Sequence, residues 1–444
     1  MENPRRAYME SLFARSLEAV HAGRAVAAVV ERNETGGVAI RGRSFAPGTN
    51  FWVVAAGKAA AAMARAFEEA AGTAVRQGYV VTGDAYGRDV PATFVGMLAG
   101  HPVPDERGVV ASTELLRFVA QIPPEDVLVV LLSGGASAML SSPEAGLALS
   151  DLVGANEALL ASGADIDSIN AVRKHCSVIA GGRLALASAS ERIEVLAVSD
   201  VPGDSLATLG SGPCVADPTT FGQALAVIDG HGLQGRVSSA LMAHLEAGAA
   251  GRVPESPKPG HPGLERVVVG IIASNASARR AAVKSARAEG VRALDLGEVL
   301  TGEARGMGRK LAALARSIRS ESPTLLVAGG ETVVTVRGRG RGGRNQEIAL
   351  AAALEWAREE VSGGMSILAV GSDGMDGPTD AAGAFVEAGE LTPDRGTLEE
   401  ASERLEQNDS YAFFDGRGGL LRTGPTETNV MDLVFLRVEG RGRS

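Results

Sequence analysis

The chain is poor in cysteine. Cys176 and Cys214 are its only two, no Cys-x-x-Cys pair occurs, and neither a disulfide framework nor a zinc site is expected. Long hydrophobic runs are missing too. Nothing approaches the ~18 apolar residues of a membrane span, and no apolar N-terminal core with a cleavage site appears. The expected location is the cytoplasm, with no membrane partner. Aromatic residues make up only 4%, which suits tight helix–sheet packing by glycine and alanine. Positive charge is also in deficit: 43 Lys and Arg face 53 Asp and Glu, a net charge of −10. That balance argues against a general nucleic-acid binder.

Several catalytic motifs are absent. Gly57-Lys58 is followed by alanine and lacks the earlier glycine of a Walker A loop. No His-Glu-x-x-His occurs, and Ser133-Gly134-Gly135-Ala136-Ser137 is not a Gly-x-Ser-x-Gly elbow. Gly338-x-Gly340-x-x-Gly343 matches the dinucleotide fingerprint formally. Arginines crowd that turn, however, and no acid closes a strand about 20 residues further on. His101 and His175 stand isolated and read as loop or core residues.

What is present is ample material for cores. The 444 residues are 45% hydrophobic, enough for about two or three domains. Phe51 to Ala56 is an apolar run, Gly57-Lys58 a turn, and Ala59 to Ala71 a stretch of strong helix formers. Strand, glycine turn and helix open an α/β sheet. Further strands are expected at 78–82, 94–98, 127–132 and 193–198, with helices at 7–30, 106–120, 150–161 and 168–189. Residues 248–265 carry four prolines and little periodicity, so they read as a linker. It would divide an N-terminal Rossmann-like domain, 1–247, from a C-terminal α/β domain, 266–444. In the second part, 267–273 opens a new strand–helix rhythm. Leu325 to Thr332 reads as a hairpin through Gly329-Gly330, and 411–414 and 432–438 as late strands. The expected class is α/β: a three-layer, mostly parallel sheet, then a smaller mixed-sheet domain, with a cleft between them.

Four polar, glycine-bearing loops follow buried strands, where open α/β sheets gather ligands. Lys58 sits by a helix start, opposing the dipole by roughly 0.3–1 kcal/mol; lysine at such a turn commonly meets phosphate. Ser133, Gly134, Gly135 and Ser137 offer N–H groups and hydroxyls to a phosphate or carboxylate. Asp200, Asp204, Asp373, Asp376 and Asp380 are candidates for Mg²⁺ or a base. Mg²⁺ takes one or two carboxylates plus phosphate oxygens, so most of these must serve as caps and turns. Asp200, directly after an apolar strand, is preferred. The most marked stretch is Thr335 to Glu347. It opens on β-branched residues read as a strand, places four arginines in the eight residues 337–344, and enters a helix at 348–360. It reads as an anion site, since helix N-termini and guanidinium groups favour anions and glycines permit close approach.

These stretches together carry a resemblance. Gly329-Gly330-Glu331-Thr332, Gly340-Arg341-Gly342-Gly343-Arg344-Asn345-Gln346-Glu347 and Ser372-Asp373-Gly374-x-Asp376-Gly377-Pro378-Thr379-Asp380 closely resemble the MOFRL domain of type-II glycerate kinases, over about 324–438. Gly57-Lys58-Ala59, Gly100-His101-Pro102, Asn170-x-x-Arg173-Lys174, Ser199-Asp200-Val201-x-Gly203-Asp204 and Ser211-Gly212-Pro213 agree in the first half. Asp409-Ser410-Tyr411 and Gly424-Pro425-Thr426-x-Thr428-Asn429 agree near the end. The resemblance implies phosphorylation of D-glycerate by ATP and Mg²⁺, most often at the 2-hydroxyl, by a monomer or homodimer. It implies Lys58, Arg344 and Asp200 as catalytic residues. Ser133, Gly134, Gly135, Ser137, Arg173 and Asp204 would meet the glycerate, and Lys58, Gly340, Gly342, Gly343 and Asn345 the nucleotide. Asp200, Asp373 and Asp376 would be metal ligands. Two other readings stand beside it: an NAD(P)-dependent hydroxypyruvate reductase, and a non-catalytic sugar-acid-binding protein.

Overall fold

A computed structural model of the chain describes residues 3–84, 90–391 and 395–440. The chain forms two compact units. The N-terminal unit holds residues 22–272, and the C-terminal unit joins the first 21 residues to the chain from Ala273 onward.

The N-terminal unit is built on a six-stranded sheet in the order Phe94–Leu98, Val75–Thr82, Phe51–Ala56, Val127–Leu132, Arg192–Val198, Val267–Ala273. Its first five strands run parallel. Val127–Leu132 is buried along its whole length, as a central strand covered on both faces must be. Helices Ala60–Ala71 and Glu106–Ala120 follow their strands closely, the second capped by Asp105, whose side chain accepts from Gly108 N. A small antiparallel sheet, Val30–Arg32, Val38–Ile40 and Arg43–Phe45, was not foreseen. The helix expected at 168–189 is two, Ile166–His175 and Arg183–Ala187, because Gly181 and Gly182 take φ of 61° and 88° between them.

The expected domain division differs from this in two places. Residues 248–265 are irregular but fastened to the N-terminal unit. Phe221 N donates to Glu255 (2.9 Å), Ser256 Oγ to the buried Asp217 (2.8 Å), and Asp217 N to Pro257 O (2.8 Å). The strand Val267–Ala273 then completes the same sheet. The first helix, Pro4–Val20, belongs with the C-terminal unit, where Arg5 bridges Glu387 (3.1 Å) and Glu439 (2.9 Å). Proline and glycine mark backbone that is irregular, and irregular backbone can still be tightly held.

The C-terminal unit carries a mixed six-stranded sheet in the order Arg292–Leu300, Thr324–Gly330, Asp432–Val438, Met365–Gly371, Gly383–Glu387, Leu420–Leu421. Asp432–Val438 runs antiparallel to both neighbours. The expected hairpin at 325–332 is therefore one buried strand, parallel to Arg292–Leu300, and the chain leaves the sheet after Gly330. Thr335 and Val336 form no strand. Tyr411–Phe414 lies inside the helix Ser410–Asp415, with Phe413 and Phe414 buried. A four-residue apolar run does not distinguish strand from helix. The helix Arg344–Arg358 is buried along most of its length, Trp356 completely.

Candidate active site

In the N-terminal unit two loops are knitted together at the carboxyl ends of adjacent strands. Ala56 pairs with Leu132 in parallel register. Ser133 N then donates to Ala56 O (3.0 Å), Lys58 N to Gly134 O (2.9 Å), and Ala59 N to Ser133 Oγ (3.0 Å). Gly57 has φ of 118°, and a Cβ there would collide with Ser133. Only glycine fits both constraints. Gly135, at φ 87°, packs beneath two side chains: a Cβ on it would stand 3.0 Å from the His101 imidazole and 3.4 Å from Lys58 Cγ. Lys58, Gly135 and His101 thus meet at one point, and His101, which looked isolated in sequence, belongs to this group. A cis peptide joins His101 to Pro102. Ser133 is buried, with its hydroxyl spent on the Lys58 turn.

Beside this group lies a cavity of about 240 Å³, lined in part by His101, Gly135, Ser137, Arg173 and Ser211. Ser211 Oγ lies 3.1 Å from Ser137 Oγ and 3.3 Å from Asn170 Oδ1. The buried Asn170 Nδ2 has no hydrogen-bond partner among the described residues. Arg173, half-buried, donates to Asn156 Oδ1 and makes no ion pair among the described residues. Burial alone pulls its guanidinium below its ordinary value. A cation withdrawn from water without an acid beside it is costly, and an anionic ligand would remove that cost. Asp200 and Asp204 follow the strand Arg192–Val198 and are half-buried, but neither lines the cavity. Asp204 takes φ of 56°, and its buried Oδ1 has no hydrogen-bond partner among the described residues.

In the C-terminal unit Arg344 is the first residue of its helix. Its Nε donates to Asp432 Oδ2 (2.5 Å), Nη2 to Asp432 Oδ1 (2.9 Å) and Nη1 to Glu331 (2.5 Å). Burial works against this cation, but Asp432 and Glu331 more than offset it and raise the guanidinium above its ordinary value. Burial also pushes the Asp432 carboxyl up to about 6, against the pull of Arg344. Asp432 opens the last strand, and Gly330 and Gly371 of its two neighbours stand opposite it. Sequence reading missed both carboxylates. The available signal was an acid at each strand end, Glu331 after Gly330 and Asp432 before an apolar run.

The arginine loop is organised differently from expectation. Asn408 Oδ1 accepts from Arg337 N (2.7 Å) and Gly338 N (3.0 Å), Gln407 O from Gly340 N (2.9 Å), and Asp409 Oδ1 from Arg341 N (3.0 Å). A Cβ at Gly338 or Gly340 would strike Gln407 or Asp409. At Gly342 it would strike Ser410, and at Gly343 Asp376. These glycines admit the protein's own backbone. The helix N-terminus is likewise filled. Asp376 accepts from Asn345 N (3.0 Å) and Gln346 N (2.8 Å), and burial pushes its carboxyl up to about 7. Asn345 is fully buried, its amide on Asp376 (3.3 Å). Gly340, Gly342, Gly343 and Asn345 therefore do not form an open phosphate cradle; the preference of a helix N-terminus for an anion is met from within. The side chains of Arg337, Arg339 and Arg341 are exposed, and Arg341 stacks 4.4 Å over Tyr411.

Asp376 has both oxygens committed to helix N–H groups and does not suit a metal. Asp373 is half-buried at the end of Met365–Gly371, its Oδ1 accepting from Met375 N (3.1 Å). Among the described residues no group of three or more His, Cys, Asp or Glu gathers around a metal-sized position. No helix among the described residues is long and apolar enough to cross a membrane.

Fold and loops together define a two-unit α/β protein whose polar residues collect at strand ends, as in ligand-binding open sheets. Comparison with known proteins narrows the class. Residues 8–246 match the family described as a domain of unknown function, DUF4147, and residues 324–432 match the MOFRL family. A glycerate 2-kinase of Pyrococcus horikoshii is 38% identical over 92% of this chain and 92% of its own. A D-glycerate 2-kinase of Thermotoga maritima is 38% identical over 86% of this chain and 89% of its own. The crystal structure of a glycerate kinase from Thermotoga maritima superposes with a TM-score of 0.83 at 34% identity, over 97% of this chain and 99% of that one. The chain belongs to the glycerate kinase family whose members join a DUF4147 domain to a MOFRL domain.

Proposed function

We propose that the protein transfers the γ-phosphoryl group of ATP to D-glycerate, at the 2-hydroxyl. The glycerate oxygen forms a bond to the γ-phosphorus, the bridging bond to ADP breaks, and the hydroxyl proton passes to a carboxylate, Asp200 or Asp204. Catalysis of this transfer is mostly positioning and charge stabilisation. Lys58 serves that charge in the N-terminal unit, where Ser137 and Arg173 hold the glycerate carboxylate, and Arg344 is the catalytic cation of the C-terminal unit. A Mg²⁺ ion, held by Asp200 or Asp373 with phosphate oxygens, would neutralise the nucleotide. The observation that carries the reading is Arg173: a withdrawn guanidinium without a carboxylate partner, on a cavity that shares Gly135 and His101 with Lys58. Relatives named glycerate 2-kinase over nearly the whole chain support the substrate.

A phosphorus NMR spectrum of the product from D-glycerate, ATP and Mg²⁺ tests it. A 2-phosphoglycerate resonance is expected; a 3-phosphoglycerate resonance overturns the position, and no phosphoester overturns the activity. The reductase reading predicts loss of reduced-nicotinamide absorbance with hydroxypyruvate, and none is expected, because the protein's own atoms fill the Gly338–Gly343 turn. A sugar-acid-binding protein would bind glycerate and consume no ATP.

A further inference from the structure

The cavity beside Arg173 is roomier and more apolar than glycerate needs. Among its half-buried lining residues His101, Ser137, Asn156 and Arg173 are polar. Its buried lining has an apolar part, Leu140, Ala155, Leu159, Val172 and Leu241, each at most 5% exposed, beside four buried serines, Ser141, Ser142, Ser177 and Ser211. Three of these serines have hydroxyls engaged within the protein: Ser141 donates to Ala138 O, Ser177 accepts from Ile179 N and Ala180 N, and Ser211 lies within hydrogen-bond distance of Ser137 and Asn170. An apolar cavity of ~150 Å³ already accommodates a benzene-sized molecule, and this one measures about 240 Å³. Glycerate offers it only a hydroxymethyl group, which gains nothing from leucine and loses its hydrogen bonds to water.

We propose that this cavity is a specificity pocket for 2-hydroxy acids that carry an apolar branch of three or four carbons. The carboxylate pairs with Arg173, and the branch lies against Leu159 and Leu241. The inference rests on Arg173 as the carboxylate anchor of the proposed kinase, and extends it to a ligand class. Each buried methylene strengthens binding severalfold, so a branch of that size separates clearly from a methyl group.

The test uses the full-length protein, calorimetry, and competition against glycerate turnover. The probes are 2-hydroxy-4-methylpentanoate, lactate and glycerate. The branched acid is expected to compete with glycerate and to bind at least about tenfold more tightly than lactate. Ala155→Leu and Leu241→Phe each fill the apolar end, and either one that folds serves. Each is expected to weaken the branched acid about tenfold more than it weakens glycerate, while Arg173→Gln weakens all three. Branched acid no tighter than lactate overturns the proposal, as does equal weakening of branched acid and glycerate by the filling variants. The two readings fail separately. Glycerate phosphorylated without competition by the branched acid removes the pocket alone. Tight branched-acid binding with no phosphorylation of glycerate removes the kinase reading alone.

Discussion

Asp432 receives two hydrogen bonds from one guanidinium, Arg344 Nε to Oδ2 at 2.5 Å and Nη2 to Oδ1 at 2.9 Å. This paired geometry fixes the plane of the arginine as well as its position. Glu331 takes a third N–H, so the remaining donors have one defined direction. A cation at a helix start is disfavoured by the dipole, and the two acids hold it there. Asp432→Ala is expected to cost about 3 kcal/mol of stability, toward the low end for a broken buried pair because Arg344 is 32% exposed. Denaturant unfolding checks the stability, and steady-state assays check an accompanying loss of kcat.

The same pair sets a pH dependence. Asp432 has an ordinary value of 3.8 and is held at about 6 in the fold. The folded state therefore binds the proton more tightly than the unfolded chain, and the stability contributed by this group falls as pH rises from about 4 through 6. Activity should move the other way, because Arg344 has its full partner only above about pH 6. Turnover and melting temperature measured from pH 4 to 8 are expected to show these opposed limbs. In Asp432→Asn the acid limb of activity should flatten; an unchanged limb would assign it to another group.

Lys58 is held by its backbone, which donates to Gly134 O, so truncating the side chain leaves the turn intact. Lys58→Ala is expected to lower kcat about 10²–10³-fold, the scale of losing one charge-stabilising group, with an unaltered circular dichroism spectrum. Turnover within about threefold of wild type would remove Lys58 from the chemistry.

Gly135→Ala tests the meeting of Lys58 and His101. Its φ of 87° disfavours any side chain, at about 1–2 kcal/mol, and the added methyl would press on His101 and on Lys58 Cγ. Stability should fall by that amount, and kcat/KM should fall further than for a strained glycine remote from the cavity, such as Gly251→Ala at φ 73°.

Asn408→Ala tests the anchoring of the arginine loop. The side chain accepts from Arg337 N and Gly338 N and donates to the buried Glu347 (2.7 Å). Leaving these groups unpaired is expected to cost about 1–3 kcal/mol. Arg339→Ala, an exposed side chain on the same loop, should change stability by less than about 0.5 kcal/mol. Thermal unfolding of the two variants separates anchor from surface.

Much of this fold was legible beforehand. The continuous apolar run at 127–132 reads as a strand buried on both faces, and Gly57-Lys58 and Ser133–Ser137 as loops at strand ends. Errors fell where local pattern underdetermines the outcome. Tyr411–Phe414 is apolar enough for either element, and Gly329-Gly330 continues a strand where it suggested a turn. The proline-rich segment at 248–265 is pinned by Glu255 and Ser256, contacts that composition does not encode.

The amino-acid order alone determined the α/β class and the strand-end loops, because those follow from periodicity and turn residues within a few neighbours, and its resemblance to a family singled out Lys58, Arg173 and Arg344 as candidates. Tertiary structure alone decided the partners. Asp432 reaches Arg344, Asp376 fills the helix N-terminus, and Asn408 secures the glycine loop, each across a long stretch of chain. A basic residue or a helix N-terminus meets its anion wherever the fold delivers a carboxylate, and only the folded chain shows that two such acids, Asp376 and Asp432, come from the protein itself.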